Sequence, residues 1–394
     1  MTKLIDITGK ALAGEWGNDD ETGTGIPVLR TTNFTNEGVV NYESVVTRSI
    51  TKKNIEDKFL RPGDIIIEKS GGSDKQPVGR VIFYEGPENT FLFNNFTGVL
   101  RVKDTSKWFP RYVFYSLYSN YRKGGTRAYE NKTTGLHNLK TDDYVSRFEV
   151  TDANYGEQIK ICDLLDKTTN VIRTRQQQLS ALDDLIKARF VEMFGDPVSN
   201  EKGWSTRSLL SMGSCKNGMN FHYDDSGVEI NCLGVGDFKD YSIIANTAAL
   251  PTVSLNELPS PEYLLRDDDI VFVRSNGNKK MVGRSVAVYP GAVPTTFSGF
   301  CIRYRREDDS VITPYLLRVL KADSIRQKMY GRGANIQNLN QQTLSSLDIP
   351  VPPKAMQEQS AAFAAQIDKS KSVIQKSLDE TQLLFDSLMQ KYFG

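Results

Sequence analysis

The sequence is poor in residues that bind metals or form disulfides. Its 394 residues include only two histidines, His137 and His222, and four cysteines. The cysteines are far apart and form no C-x-x-C pair, so we expect reduced, partly buried thiols and no zinc site. Two histidines also do not support a Ser-His-Asp or Cys-His arrangement. The expected compartment is a cytoplasm.

Other sequence signals are missing as well. No stretch of about 18 apolar residues occurs, which predicts no membrane span, and the first residues, MTKLIDITGKALAGEWG, do not resemble a signal peptide. The net charge is only +1, so a DNA-binding surface would need local clusters of charge. The sequence lacks the phosphate-binding G-x-x-x-x-G-K-[ST] loop, the Asn-Pro-Pro-aromatic motif of adenine methyltransferases and a glycine-rich methyl-donor loop. We therefore expect a chain without catalysis of its own.

The second half of the sequence repeats the first at an offset of roughly 200 residues. Similar segments recur in the same order, which indicates a duplicated domain rather than chance similarity. The matched segments are FLRPGDIIIEKSGG (59–72) with LLRDDDIVFVRSNG (264–277), PVGRVIFY (77–84) with MVGRSVAVY (281–289), FTGVLRV (96–102) with FSGFCIRY (297–304), GLHNLKTDDY (135–144) with NIQNLNQQTL (335–344), and the openings Leu4, Ile7, Asp19 and Asp20 with Leu209, Met212, Asp224 and Asp225.

Each half ends in a stretch that predicts a long helix, over 156–194 and over 354–393. Apolar residues recur there at alternating steps of three and four, which is typical of a heptad seam. The predicted seam residues are Ile161, Leu165, Ile172, Leu179, Leu182, Ile186, Ile374, Leu378, Phe385 and Leu388. We expect the two helices to pair with each other, although each could instead pack on its own domain. Charged residues such as Arg173, Arg175 and Lys187 are interpreted as a solvated face.

The bodies of the two halves have mixed α and β signals. Short apolar runs at 64–67, 81–84 and 269–273 predict strands. The stretch 110–125 predicts a helix that starts at Pro110 and is ended by Gly124, and the stretch 313–333, with Pro314 near its start, predicts the counterpart helix. The expected fold is therefore a mixed α/β class with two globular domains in tandem, each followed by a long helix. The expected boundaries are 1–155, 156–196, 197–350 and 351–394.

These features resemble the DNA-specificity subunit of type I restriction-modification systems. LLDKTTNVIRTRQQQLSALDDLIKARFVEMFGDP (164–197) is similar to the central conserved region of that family, and IPVPPKAMQEQSAAFAAQIDKSKSVIQKSL (349–378) is similar to its distal conserved region. The resemblance implies two target-recognition domains joined by an antiparallel helix pair that acts as a ruler between two half-sites. It also implies two methyltransferase subunits that bind S-adenosylmethionine. Motor-nuclease subunits that use ATP and magnesium are a further implied partner, and no cofactor is expected on this chain.

Loops rich in basic and small polar residues are the candidate DNA contacts, because glycine admits phosphate to the backbone and Asn and Arg suit base edges. In the first half they are Arg30, Lys69, Ser70, Gly71, Gly72, Ser73, Lys75, Arg80, Lys123, Thr126, Arg127, Asn131, Lys132, Thr133, Thr134 and His137. In the second half they are Arg274, Ser275, Asn276, Asn278, Lys279, Lys280, Arg284, Tyr330, Arg332, Asn335 and Gln337. The plain alternative is a set of solvated surface loops.

Two other functions compete with DNA recognition in a restriction system. One is a magnesium-dependent nuclease that would use Asp64, Glu68 and Lys69. The adjacent Glu68 and Lys69 would point to opposite faces of a strand, and the second copy has Val273 and Arg274 at these positions. The other is a two-domain DNA-binding scaffold outside restriction.

Overall fold

The chain folds into two compact units, and each unit contains part of both long helices. The structure, a computed structural model, describes residues 1–133, 136–221, 226–238, 243–329 and 338–394. Unit 1 comprises residues 1–177 and 375–394, and unit 2 comprises residues 178–374. The prediction of mixed α/β domains in tandem, each followed by a long helix, is confirmed. None of the helices in the described ranges is long and apolar enough to cross a membrane.

Unit 1 is built from short strands and three helices that precede the first long helix. The strands are β1 (Thr2–Lys3), β2 (Leu12–Ala13), β3 (Asn18–Asp19), β4 (Ile26–Leu29), β5 (Val46–Ser49), β6 (Ile65–Glu68), β7 (Ser70–Gly72), β8 (Val81–Phe83), β9 (Leu92–Phe93), β10 (Thr97–Leu100), β11 (Glu130–Thr133), β12 (Leu136–Leu139) and β13 (Glu149–Val150). The helices are α1 (Leu4–Thr8), α2 (Pro110–Arg122), α3 (Thr141–Arg147) and the long α4 (Tyr155–Phe194). The strands form four sheets, in the orders β2-β10-β6-β8, β3-β5-β4-β9, β11-β12-β7 and β1-β13.

Unit 2 repeats this plan. Its strands are β14 (Thr206–Ser208), β15 (Gly213–Asn217), β16 (Val228–Leu233), β17 (Ile243–Ile244), β18 (Thr252–Leu255), β19 (Asp269–Val273), β20 (Ser285–Val288), β21 (Thr295–Phe297), β22 (Cys301–Arg306) and β23 (Asp348–Pro350). Its helices are α5 (Thr313–Lys321), α6 (Asp323–Met329), α7 (Gln341–Ser345) and the long α8 (Lys354–Phe393). The sheets have the orders β15-β22-β19-β20-β17, β18-β16-β21 and β14-β23.

A fully buried strand lies at the centre of the main sheet in each unit. In unit 1 the run of three isoleucines in β6 lies between β10 and β8, and in unit 2 β19 lies between β22 and β20, all antiparallel. Burial on both faces explains why these strands are continuous apolar runs rather than alternating ones. The helix that follows each sheet, α2 or α5, packs its apolar side chains into the same core.

Two strands and one helix differ from their sequence-based bounds. The strands predicted at 64–67 and 81–84 are observed as Ile65–Glu68 and Val81–Phe83. The helix predicted to start at Pro110 and to be ended by Gly124 is confirmed as Pro110–Arg122, with Gly124 in the left-handed region just beyond it. The single helix predicted over 313–333 is wrong, because Ala322 has an extended backbone and separates α5 from α6. Asp323 then begins a new helix, and an acidic residue in the first turn stabilises a helix.

The two long helices run antiparallel within each unit. In unit 1 the beginning of α4, with Ile161 and Leu165, shares a core cluster with Phe385 near the end of α8. In unit 2 the later part of α4 meets the earlier part of α8 through an ion pair of 2.5 Å between Asp183 and Lys371. Of the predicted seam, the residues near the domains are buried and the others are half-buried: Ile161, Leu165, Ile172, Ile186 and Phe385 in the first group, and Leu179, Leu182, Ile374, Leu378 and Leu388 in the second.

Arg175 does not belong to a solvated face. Its guanidinium donates a hydrogen bond of 2.6 Å to the carbonyl oxygen of Ser377 and another to the hydroxyl of Thr381, both on α8. Arg173, two residues earlier, is exposed as expected. A polar side chain at a seam position can specify the register of a helix pair, and Arg175 occupies such a position.

A buried glutamine joins each domain to the start of its long helix, which the sequence did not indicate. In unit 1 Gln158 accepts a hydrogen bond of 2.8 Å from the N–H of Phe109, just before α2. Its amide donates to the carbonyls of Lys107 and Ala153 at 3.0 and 2.9 Å. All hydrogen-bonding groups of a buried side chain should be paired, and this carboxamide is placed to satisfy three backbone groups.

Gln357 makes the same contacts in unit 2. It accepts a hydrogen bond of 2.9 Å from the N–H of Ile312, just before α5. Its amide donates to the carbonyls of Ser310 and Pro352, each at 2.9 Å. The duplication therefore extends to the way each domain is attached to its own helix.

The third matched segment of the sequence repeat was aligned incorrectly. Thr97 of β10 pairs with Glu68 of β6, and Cys301 of β22 pairs with Val273 of β19. Because Glu68 and Val273 are equivalent positions, Thr97 corresponds to Cys301. FTGVLRV therefore matches 300–306, which lies three residues beyond the start of the proposed match.

The corrected register produces a duplicated F-x-x-F pattern. Phe93 corresponds to Phe297, since each pairs with the leucine that ends a neighbouring strand, and both are buried. Phe96 corresponds to Phe300, and both are exposed. The sequence match had placed Phe96 opposite Phe297, which hid the recurrence of the exposed ring.

Candidate nucleic-acid interface

Three chain segments meet at the end of the central strand of unit 1, and we call this place corner 1 (residues 69–76, 94–97, 138 and 139). The N–H groups of Lys69 and Ser70 both donate to the carbonyl oxygen of Phe96, at 2.8 and 3.2 Å. The N–H of Leu139 donates to the carbonyl of Lys69 at 2.8 Å. Backbone hydrogen bonds therefore position this corner, whatever side chains its loop carries.

Unit 2 has the same arrangement, corner 2 (residues 274–280, 298–301, 338 and 339). The N–H groups of Arg274 and Ser275 donate to the carbonyl oxygen of Phe300 at 2.7 and 3.3 Å. The N–H of Leu339 donates to the carbonyl of Arg274 at 2.9 Å. The first candidate loops of the two halves thus lie at equivalent places in the fold.

The first candidate loop is partly a strand rather than a loop. Residues 70–72 form β7, which pairs with β12 through Ser70 opposite Asn138 and Gly72 opposite His137. The hydroxyl of Ser70 also donates a hydrogen bond to the side-chain oxygen of Asn138. In unit 2 Ser275 and Asn338 form an isolated bridge at the equivalent place. Of the two candidate glycines here, Gly71 is exposed and Gly72 is buried.

The loops beyond these pairs are held by short-range hydrogen bonds and present polar side chains. In corner 1 the hydroxyl of Ser73 accepts the N–H of Gln76 at 3.1 Å, and Lys75 is exposed. Arg127 donates a hydrogen bond of 3.2 Å to the carbonyl of Asp74. The exposed candidate Asn131 lies on the adjacent β11. Lysine and arginine suit phosphate, and amides suit base edges.

In corner 2 the loop carries more amides. The side chain of Asn276 accepts the N–H of Asn278 at 2.8 Å, and the side chain of Asn278 accepts the N–H of Lys280 at 3.0 Å. Asn278, Lys279 and Lys280 are exposed. The two corners therefore share a backbone frame but have different side chains.

Arg80 and Arg284 have structural partners, which differs from the predicted role in DNA contact. Arg80 donates to the carbonyls of Thr31 and Phe34 at 2.9 and 3.0 Å. Arg284 donates to the carbonyl of Phe238 at 3.3 Å, at the equivalent turn of unit 2. Both arginines therefore hold the turn that follows β4 in unit 1 or β16 in unit 2, and we interpret them as supports rather than phosphate contacts.

Thr126 and His137 are also unsuited to contact DNA, because both are buried. The ring Nδ1 of His137 lies 3.0 Å from a carboxylate oxygen of Glu130. The other oxygen of Glu130 accepts the N–H of Val78 at 2.9 Å. His137 is thus buried and lies beside Glu130, and its predicted surface role is corrected.

Three basic candidates point toward other parts of unit 1. The ammonium of Lys123 donates to the carbonyl oxygen of Phe393 at 3.0 Å, near the end of α8. Arg30 donates to the carbonyl of Ser44 at 3.2 Å. Lys69 is half-buried, and this burial lowers the pKa of its ammonium group while Asp142 opposes the shift. These residues are therefore weaker candidates than Lys75.

Several predicted contacts lie outside the described residues. These are Thr134, Tyr330, Arg332, Asn335 and Gln337, together with the side chains of Lys132 and Thr133. His222, Asp224 and Asp225 of the sequence comparison lie outside them too.

The carboxylates that the nuclease hypothesis requires lie beside arginines. Both oxygens of Asp64 accept hydrogen bonds of 2.7 Å from Arg101. Glu68 is buried 3.6 Å from Arg80, and burial raises the pKa of its carboxyl group. Among the described residues, no group of three or more His, Cys, Asp or Glu is arranged to hold a metal ion. The geometry therefore gives no support to a metal-dependent nuclease.

Comparison with known proteins finds similarity to one family. Residues 239–381 match the family model described as the type I restriction modification DNA specificity domain. The StySPI specificity subunit of Salmonella potsdam is 24% identical over 93% of this chain and 81% of its own length. The EcoEI specificity subunit of Escherichia coli is 32% identical over 35% of this chain and 24% of its own length.

Solved structures agree on the fold. The S subunit of a type I restriction-modification system from M. genitalium covers 100% of this chain and 95% of its own, with a TM-score of 0.57 and 16% identity. A chain from work on complex assembly and conformational transition of the type I R-M system covers 100% and 96%, with a TM-score of 0.57 and 14% identity. At such low identity the likeness concerns the fold alone.

Proposed function

The chain belongs to the type I restriction-modification DNA specificity family, and on that premise we propose that it reads a split DNA sequence with one corner in each unit. It is a DNA-recognition subunit that performs no catalysis itself. Its proposed partners are double-stranded DNA and two methyltransferase subunits, which would bring S-adenosylmethionine. Motor-nuclease subunits that use ATP and magnesium would join the same complex.

One observation carries this proposal: the two units present equivalent corners with different side chains. Corner 1 offers Ser73 and Lys75, whereas corner 2 offers Asn276, Asn278 and Lys280. Equivalent backbone frames would approach two half-sites in the same manner, and different side chains would select different bases. A bipartite target with unlike halves follows from this arrangement.

The long helices supply a reason for a fixed spacing. Each has 40 residues, which corresponds to a length of about 60 Å. Half-sites read from one side of B-DNA lie about 34 Å apart or a multiple of it. We propose that the antiparallel pair sets the gap as a ruler, since a paired helix is stiffer than a flexible linker.

Copurification and methylome sequencing test this proposal together. The chain, expressed with a methyltransferase subunit of a type I system from the same cells, should copurify with that protein. Cells that carry both should then gain adenine methylation at a split motif with a constant gap. Failure to copurify, methylation at a continuous motif, or no new methylation would contradict the proposal.

A further inference from the structure

An exposed phenylalanine occupies the same position in both units. The side chains of Phe96 and Phe300 are 51% and 61% exposed. Single exposed apolar residues are common on protein surfaces and need no explanation. Here, however, the exposed ring recurs at structurally equivalent positions of two corners whose neighbouring residues differ.

Each phenylalanine stands in a turn whose backbone is fixed on both sides. In unit 1 the N–H of Thr97 donates to the carbonyl of Asn94 at 3.1 Å, and in unit 2 the N–H of Cys301 donates to the carbonyl of Ser298 at 2.8 Å. The carbonyl of each phenylalanine accepts the two N–H groups that begin its corner. The rings are therefore carried on a preformed backbone at the end of the central sheet.

The core does not explain the second phenylalanine of the F-x-x-F pattern. The first of each pair, Phe93 or Phe297, is fully buried and accounts for the apolar requirement of the sheet. The residues between the pair share no identity, being Asn-Asn in unit 1 and Ser-Gly in unit 2. The exposed ring is thus the shared side chain of two otherwise different turns.

The residues around the rings favour a ligand that presents both charge and apolar surface. The N–H groups bound to each phenylalanine carbonyl belong to a basic residue and a serine, Lys69 and Ser70 or Arg274 and Ser275. Exposed lysines follow within the same loops, at Lys75 and Lys280. DNA has this combination, because phosphates flank bases that present thymine methyl groups and flat faces.

We propose that Phe96 and Phe300 are DNA-contact residues, each pressing its ring on the apolar surface of bases in one half-site. This inference rests on the proposed function and adds a contact that lies outside the basic loops. The apolar surface could be a thymine methyl group in the major groove or the face of a base at an opened step, and both have the same chemistry for a phenylalanine ring.

The test uses the complex of the full chain with its methyltransferase and a duplex carrying the split motif found in the methylome. Phe96→Ala and Phe300→Ala should each weaken binding to this duplex roughly 5- to 100-fold, the range expected for loss of one good base contact. The slope of log Kd against log salt should stay unchanged, since neither substitution removes a charge. Phe96→Tyr and Phe300→Tyr should retain most of the affinity.

Matched controls separate this effect from folding and assembly. Leu258→Ala removes a 64% exposed apolar side chain elsewhere in unit 2 and should leave binding unchanged. Thermal unfolding and coelution with the methyltransferase should be the same for all variants. Deoxyuridine in place of thymidine should abolish the alanine penalty if the ring packs on a methyl group. A fluorescence rise of 2-aminopurine, lost in the variant, should appear if the ring opens a base step.

The outcomes distinguish this inference from the function on which it rests. Wild-type DNA affinity in both alanine variants would overturn the inference while a split methylation motif left the proposed function standing. Loss of coelution with unchanged DNA affinity would also overturn it and would assign the rings to the protein partner. A wild-type complex that binds no split motif would refute the proposed function and this contact with it.

Discussion

Asp64 accepts two hydrogen bonds of 2.7 Å from the guanidinium of Arg101, so that the carboxylate and the guanidinium meet as a fork. Asp269 and Arg305 form the same pair in unit 2, at 2.8 and 2.7 Å. Two-point pairing of this kind is strong and fixes the geometry of both groups. The aspartates at the start of each central strand are therefore structural, which removes one proposed ligand of a nuclease site.

Removal of the carboxylate should destabilise the fold without any effect on metal chemistry. We expect Asp64→Ala to lower the free energy of unfolding by about 3 kcal/mol, since it leaves the guanidinium of Arg101 without its partner. Urea unfolding measures this change, and Asp57→Ala, at an exposed carboxylate, should cost less than about 0.5 kcal/mol. Sustained magnesium-dependent DNA cleavage by the pure wild-type chain, abolished by Asp64→Ala, would contradict the structural role.

The buried glutamine of the second helix should matter far more than its exposed neighbour. Gln357→Ala should lower the free energy of unfolding by about 2 to 4 kcal/mol, because it leaves buried backbone groups unpaired and opens a cavity. Gln359→Ala, at an exposed position of the same turn, should change it by less than about 0.5 kcal/mol. Equal effects of the two substitutions in urea unfolding would argue against the attachment described for Gln357.

The two neighbouring arginines of α4 provide a test of the helix pairing. Arg175→Ala should destabilise the chain by about 1.5 to 3 kcal/mol, because hydrogen bonds from a charged donor to Ser377 and Thr381 are lost. Arg173→Ala should have almost no effect, since Arg173 is exposed. Thermal unfolding of the two variants side by side measures the difference, and the reverse order would contradict the observed contacts.

Phosphate contact in corner 2 should appear as a salt effect. Lys280→Ala should weaken binding to all DNA sequences and reduce the slope of log Kd against log salt by about 0.9, the value for one phosphate contact. Lys202→Ala, an exposed lysine outside both corners, should leave the slope unchanged. Fluorescence anisotropy between 50 and 200 mM salt, a range that resolves such slopes, gives the measurement. An unchanged slope for Lys280→Ala would remove this lysine from the proposed interface.

The overall organisation of the fold could be predicted because the sequence carries periodic and repeated patterns. Apolar residues at helical spacing marked α4 and α8, and the latter was predicted with its observed bounds. The order of recurring segments marked the duplication. Individual contacts were harder, since heptad spacing places Arg175 rather than Arg173 on the seam but does not show that Arg175 donates hydrogen bonds to Ser377 and Thr381.

The sequence placed the candidate loops after the central strands, where the structure also has them, but it did not show which candidate side chains are buried. The corners follow the strands as expected, yet Arg80, Thr126 and His137 have internal roles that residue type does not reveal. The equivalence of Phe96 and Phe300 did not show in the sequence, because a shared F-x-x-F pattern can be matched at either phenylalanine. Strand pairing, which depends on long-range hydrogen bonds, was needed to choose between the two alignments.

Exchange of one domain tests the central claim most directly. Residues 1–150 would be replaced by the first recognition domain of another specificity subunit, and the methylome of cells with this chain and its methyltransferase would be sequenced. Our account predicts that one half of the methylated motif changes while the other half stays the same. A change in both halves, or in neither, would contradict it.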